Sequence, residues 1–336
     1  MNRIFSLASI GFLCVLLWGS IAVAGEITVY SSLEEDEIKD YLAVAKKDMP
    51  GVKVNILRLS TGDLGARILA ESSNPKHDVI WGWAVTNMSD ARIMRLLEAY
   101  KPKGLDKVAG SFKDKGGKWF ATQGYMAAFC VNTDRLKQKN LPMPSSWNDL
   151  LNPAYKGELI MPNPASSGTG YLQISSLLQH FGEAEGWNFL KKLDKNMGQY
   201  IKSGSKPCKK ARAGEYAIGA SFAFIAMKSI KAGYPVKMVI PSEGAGYELE
   251  ASALMASSKN KSDAKKFLDW SLTRNAVGAY AKFKAIVTVE GGSRPPMADK
   301  AGLPKDVEAA LFKMDFDWSS KNRSRILKKW QSELER

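Results

Sequence analysis

ITVYSSLEEDEIKDYL, residues 27–42, reads as a strand that stops at two serines and passes directly into a helix. Ile27-Thr28-Val29-Tyr30 has the β-branched and aromatic make-up of a strand. Glu34-Glu35-Asp36 places acids at the positive end of the helix that follows, and Ser32 with Glu35 has the spacing of a capping box. The pattern then repeats. Residues 52–59 alternate as a second strand and run into Ser60-Thr61-Gly62-Asp63, after which Leu64, Ile68 and Leu69 mark an amphipathic helix. Asp78-Val79-Ile80-Trp81 reads as a third, buried strand, and residues 88–100 as a helix. Strands alternating with helices imply an α/β sheet. In such sheets ligands gather outside the carboxyl ends of the strands. The three exits, Ser31-Ser32, Ser60-Thr61-Gly62 and Trp81-Gly82-Trp83, are therefore expected to face one crevice.

The second half repeats this organisation from Ala127-Ala128-Phe129-Cys130-Val131-Asn132 onward. A strand over 157–161 leads into NPASSGTGYLQISSLLQHFG, residues 163–182. One capping hydroxyl suffices to start a helix. Here Ser166, Ser167 and Thr169 supply three, and Gly168 and Gly170 permit close backbone approach. Such a stretch is either an elaborate cap or a grip on a ligand. Helices are expected over 183–195, 208–213 and 222–231, with strands over 217–220 and 236–240. Residues 246–254 alternate like a strand crossing between two units. Helices over 264–273 and 275–283 follow, Arg294-Pro295-Pro296 breaks the chain, and a last helix is expected over 324–334.

The chain has 336 residues, enough for two lobes of ordinary size. Met1-Asn2-Arg3, the uncharged apolar run 4–23 and Ala22-Val23-Ala24 form a secretory signal peptide cut after Ala24, which implies a periplasmic protein. Cys14 lies in that peptide. Export permits a bridge between the remaining Cys130 and Cys208. Their spacing does not bring them together, and Cys130 reads as a buried strand residue. The net charge of +14 comes from scattered lysines and arginines, a solvated basic surface without a nucleic-acid motif. No G-x-S-x-G elbow, dinucleotide fingerprint, P-loop or metal-ligand cluster occurs. With only His77 and His180 in the chain, no enzyme and no cofactor are expected.

PASSGTGY (164–171), DVIWG (78–82), PSEGAGYELEASALM (241–255) and FDWSSKNRSRILKKW (316–330) together resemble the extracytoplasmic solute-binding proteins of ABC importers. The likeness runs through nearly the whole exported chain. It is nearest the 2-aminoethylphosphonate subgroup, with ferric-ion and hexose-phosphate binders as neighbours. The resemblance implies a two-lobed periplasmic-binding-protein fold of type II, mixed sheets flanked by helices, with a ligand cleft between lobes. It places residues 25–123 and 250–283 in lobe 1 and 124–249 in lobe 2, with C-terminal helices in 284–336 packed on lobe 2. It also implies a monomer that passes a small anion to a membrane permease.

A phosphonate or phosphate-ester dianion needs many hydrogen-bond donors in a sheltered hollow, and helix N-termini provide them. Ser166, Ser167, Gly168 and Thr169 fit that need from one lobe, with Ser203 and Ser205 as a second set. Ser31, Ser32, Ser60 and Thr61 offer hydroxyls from the other. A 2-aminoethyl ammonium needs a carboxylate or an aromatic face. Glu248 and Glu250 lie two apart on one strand and share a face, and Trp81 could wall the cleft. Ser221 lies in the segment 219–224 that matches the paired tyrosines of ferric binders. That segment contains no tyrosine here, so a ferric ligand set is not expected.

Overall fold

The computed structural model describes residues 25–335. The expected signal peptide, residues 1–24, lies outside the described residues. In chain order the elements are β1 (Gly25–Ser31), α1 (Glu35–Asp48), β2 (Val52–Arg58), α2 (Thr61–Ala70), β3 (Val79–Ala84), α3 (Val85–Met88), α4 (Ala91–Met94) and β4 (Leu97–Glu98). Next come β5 (Phe120–Asn132), α5 (Thr133–Lys139), β6 (Leu159–Pro162), α6 (Gly168–Phe181), α7 (Glu183–Asp194), β7 (Met197–Ile201), α8 (Lys206–Arg212), β8 (Ile218–Phe222), α9 (Ala223–Lys231) and β9 (Val236–Val239). The last are β10 (Tyr247–Met255), α10 (Lys261–Trp270), α11 (Arg274–Tyr280), β11 (Ile286–Val287) and α12 (Phe316–Glu333).

The strands run in the order β2-β1-β3-β10-β5-β8-β6-β7. Pairing of β1 with β2 and β3 is parallel, as is pairing of β6 with β7 and β8. Two long antiparallel strands join the halves. β5 pairs with β10 as far as Met126, opposite Tyr247, and with β8 from Ala127, opposite Phe222. One strand therefore runs through both halves of the sheet and changes partner between Met126 and Ala127. Each half has apolar packing on both faces of its sheet. Trp81, Phe267 and Trp270 fill one side of the first sheet, and Leu64, Ile80 and Trp83 the other. In the second half Phe129, Trp147 and Leu190 pack together with Ile326 and Trp330 of α12. Among the described residues no helix is long and apolar enough to cross a membrane.

Three local expectations change. α1 is capped at Glu34, two residues after Ser32, and Glu37 Oε2 accepts from the Glu34 amide at 2.9 Å. The box thus uses the first and last acids of LEEDE, Glu34 and Glu37, while the Ser32 hydroxyl donates to the Gly82 carbonyl at 3.0 Å. The helix expected over 88–100 is instead α3, α4 and β4, because the Asp90 carboxylate accepts from the Arg92 amide and starts a new turn. α12 begins eight residues earlier than expected, at Phe316, where Asp315 Oδ1 caps the Trp318 amide at 2.8 Å. Cys130 of β5 and Cys208 of α8 are bonded, with Cα atoms 5.2 Å apart. The fold brings together sulfurs that their spacing left unrelated.

Candidate functional site

The carboxyl ends of β1 and β2 deliver Ser32, Arg58, Ser60 and Thr61 to a cavity between the lobes. From the other lobe the same cavity receives Ser167, Gly168 and Thr169 at the start of α6, and Gly204 from the loop before α8. The opening turn of α6 faces inward with its amides, so the helix dipole favours negative charge there. Ser167 is the N-cap, and its Oγ accepts from the Gly170 amide at 3.3 Å. The stretch is thus a cap, and it also lines the cleft.

Gly168 is required by contact between the lobes, and Gly170 by contact within its own lobe, where a Cβ would lie 2.6 Å from the Pro162 carbonyl oxygen. A Cβ on Gly168 would lie 2.6 Å from Thr61 Oγ1 and 2.9 Å from the Tyr125 hydroxyl. Within the lobe of α6, a Cβ on Gly204 would lie 2.5 Å from Thr169 Oγ1, so the loop before α8 packs closely on the start of α6. At the rim the Gly62 amide donates to the Ser166 carbonyl at 2.9 Å, and Lys202 Nζ meets Asp63 at 2.9 Å. Lys228 also pairs with Asp36 across the gap.

Of the expected ligand residues, Ser32, Ser60, Thr61, Ser167, Gly168, Thr169 and Glu250 line this cavity. The others stand behind it or beside it. Ser31 is fully buried and its Oγ accepts from the Leu33 amide. Ser166 donates its hydroxyl to the Lys202 carbonyl at 3.0 Å. Ser203 and Ser205 exchange a hydroxyl contact at 3.2 Å, and buried Ser221 donates to the Gly204 carbonyl at 2.8 Å. Those three hold the loop that presents Gly204. Trp81 is core, edge-on to Phe267 at 5.2 Å.

Glu248 and Glu250, expected on one face, have different surroundings. β10 pairs with β5 in unbroken register from Tyr247 to Glu250, so the difference lies in the side chains that each one meets. Glu248 is buried and accepts from the Thr86 hydroxyl at 2.5 Å and from the Leu249 amide at 2.9 Å. Burial pushes its carboxyl up to about 7 in spite of those bonds. Glu250 lines the cavity, where Lys284 Nζ lies 2.8 Å from Glu250 and 2.7 Å from Glu37. Burial works against the Lys284 ammonium, but Glu250 and Glu37 together raise its pKa. Burial also pushes the Glu250 carboxyl up, since Lys284 offsets only part of that cost and Glu37 adds to it. Two carboxylates thus share one ammonium at the floor of the cleft.

Arg58, Tyr125, Phe222, Glu34, Glu37 and Lys284 also line the cavity and were not expected there. Arg58 was within reach of the strand-end argument, two residues before Ser60. Tyr125 sits mid-strand and Lys284 follows a helix, so no local pattern marks either. His77 stacks on Tyr30 at 4.0 Å, and His180 packs on Phe181 and Phe312. Neither lines the cavity. Among the described residues no group of three or more His, Cys, Asp or Glu is arranged to hold a metal ion.

Residues 74–313 match the model of the bacterial extracellular solute-binding protein family. The chain belongs to that family. A solved periplasmic binding protein, AfuA from Actinobacillus pleuropneumoniae with exogenous fructose-6-phosphate bound, superposes with a TM-score of 0.85 at 31% identity, covering 92% of this chain and 98% of that one. The two share the two-lobed periplasmic binding fold. A probable ABC transporter periplasmic-binding protein of Sinorhizobium fredii is 27% identical over 89% of this chain and 86% of its own length. An Fe(3+)-binding periplasmic protein of Serratia marcescens is 26% identical over 80% of this chain and 81% of its own.

Proposed function

We propose that this solute-binding protein, the periplasmic component of an ABC importer, captures a small organophosphorus anion that also carries an ammonium group. 2-Aminoethylphosphonate is the simplest such ligand. The carrying observation is the division of labour inside one cavity. Hydroxyls of Ser60, Thr61, Ser167 and Thr169, with the α6 amides, supply neutral donors for the oxyanion. At the floor, Glu37 and Glu250 outnumber Lys284, and a buried surplus carboxylate needs a proton or a second cation. A ligand ammonium meets that need.

A sugar phosphate is the second reading. It is favoured by the hydroxyl-rich lining and by the 31% identical structure solved with fructose-6-phosphate. Melting the signal-free protein with 2-aminoethylphosphonate, inorganic phosphate, fructose 6-phosphate and ferric citrate separates these. Ligand at 100 times its Kd adds about 2.7 kcal/mol of stability, so the cognate compound gives the largest rise. Absence of any rise with phosphorus compounds, together with iron loading, would overturn the assignment.

A further inference from the structure

Arg58 ends β2 level with Ser31 of β1, so its guanidinium leaves the sheet at the carboxyl ends of two parallel strands. It lines the cavity beside Ser60 and Thr61. Its Nε donates to the Leu33 carbonyl at 3.0 Å, which anchors one side of the fork. Toward a carboxylate it makes a single bond, Nη2 to Glu34 Oε1 at 3.2 Å. That grip is loose for an arginine. Arg135 holds Glu158 by two parallel bonds of 2.8 Å each, the geometry that guanidinium and carboxylate favour. Glu34 also has an alternative: Lys209 Nζ of the facing lobe lies 4.0 Å from its Oε2.

We infer that Arg58 is a contact for the ligand's oxyanion and that Glu34 is its resident counter-ion, displaced to Lys209 when the ligand enters. The inference rests on the phosphorus-anion reading above. A tetrahedral oxyanion offers the two-oxygen edge that Glu34 does not present to Arg58. The exchange keeps every charge partnered, since Glu34 moves from a cation of its own lobe to one of the other. Ligand capture and lobe closure then share a single acid.

The test is a double-mutant cycle on the full signal-free protein, with 2-aminoethylphosphonate as probe and calorimetry at fixed ionic strength. Arg58→Gln is expected to weaken binding at least about tenfold, the scale of a lost charge-assisted bond. Glu34→Gln is expected to tighten binding about threefold, as befits a partly exposed pair. In the double variant the gain from Glu34→Gln disappears, because Glu34 acts through Arg58. A gain that persists without Arg58 would reduce Glu34 to a repelling charge and overturn the inference, as would an unchanged Kd in Arg58→Gln. Arg58→Lys, which keeps the charge and loses the fork, is expected to lie between wild type and Arg58→Gln and guards against misfolding of the latter. If wild type binds 2-aminoethylphosphonate and Arg58 proves irrelevant, only this inference falls. If wild type binds no phosphorus compound, both fall.

Discussion

The main-chain amide of Gly62 donates to the carbonyl of Ser166 at 2.9 Å, one lobe touching the other at the rim of the cleft. This contact leaves no room for a side chain, because a Cβ on Gly62 would fall 2.0 Å from the Ala165 carbonyl oxygen. Gly62→Ala therefore separates stability from binding. Within α2 the change favours the helix by up to about 1 kcal/mol, and an opened cleft relieves the clash. The ligand-free variant should melt at or slightly above wild type, yet bind its ligand at least about tenfold more weakly, a loss of about 1.4 kcal/mol. Small-angle scattering should show it more extended than wild type with ligand present. Equal compaction and equal Kd would show that closure does not pass through this contact.

The triad of Glu37, Lys284 and Glu250 predicts proton release on binding. Burial raises the Glu250 carboxyl, so near neutral pH the empty cleft retains part of a proton there. An arriving ammonium takes its place. Titration calorimetry in HEPES and in Tris should then give binding heats that differ in proportion to buffer ionisation. Glu250→Gln should abolish that difference and weaken 2-aminoethylphosphonate at least about tenfold, with methylphosphonate much less affected. Identical heats in both buffers for wild type would remove the ammonium from the floor of the cleft.

Glu248 gives a stability prediction of definite sign. Its folded carboxyl is pushed up to about 7 by burial, against an unfolded value near 4.5. Between those pH values the folded chain holds a proton that the unfolded chain has lost, so stability falls as pH rises through the window. The loss is about 3 kcal/mol for this one group. Urea unfolding at pH 5 and pH 8 should show Glu250→Gln losing more stability than the double Glu248→Gln, Glu250→Gln variant by roughly that amount. The comparison is made in a Glu250→Gln background, because the Glu248 charge itself raises the Glu250 carboxyl. Parallel pH profiles would mean that Glu248 is ionised throughout and held by a cation.

What the sequence disclosed follows the range of the forces involved. Strand exits at Ser32 and Ser60 and the amide-rich start of α6 are local features, so alternation and capping chemistry located them. Ser31, Ser203, Ser205 and Ser221 carry the same residue types, yet their hydroxyls are consumed in holding turns. Composition does not tell a supporting hydroxyl from a presented one. Trp81 followed a strand into the core for a related reason: only its neighbours Phe267 and Trp270, far along the chain, decide which way it faces. The floor of the cleft was the least legible part. Glu37, Glu250 and Lys284 lie on three separate elements, and the partner that alters the role of Glu250 follows it by 34 residues. Glu248 and Glu250 stand in unbroken register with β5, and partners distant in the chain, Thr86 for one and Lys284 for the other, give them different surroundings.

The Cys130–Cys208 bond likewise depended on tertiary contact, and it predicts a stability loss separable from function. It closes a loop with a sequence separation of 78, and constraint of the unfolded chain by such a loop is worth about 4 kcal/mol. Both sulfurs are fully buried, so paired alanine replacement is a cleaner probe than reductant. The double Cys130→Ala, Cys208→Ala variant should melt about 10 °C lower, given roughly 2–4 °C per kcal/mol for a chain of this size. Binding should survive. The loop that presents Gly204 is held from β8 by the Ser221 hydroxyl, independently of the sulfurs, so Kd should move by less than about threefold, under 0.7 kcal/mol. Unchanged melting would mean that the two thiols are not joined in the exported protein. A large loss of affinity would mean that the bond, and not Ser221, positions the cleft wall.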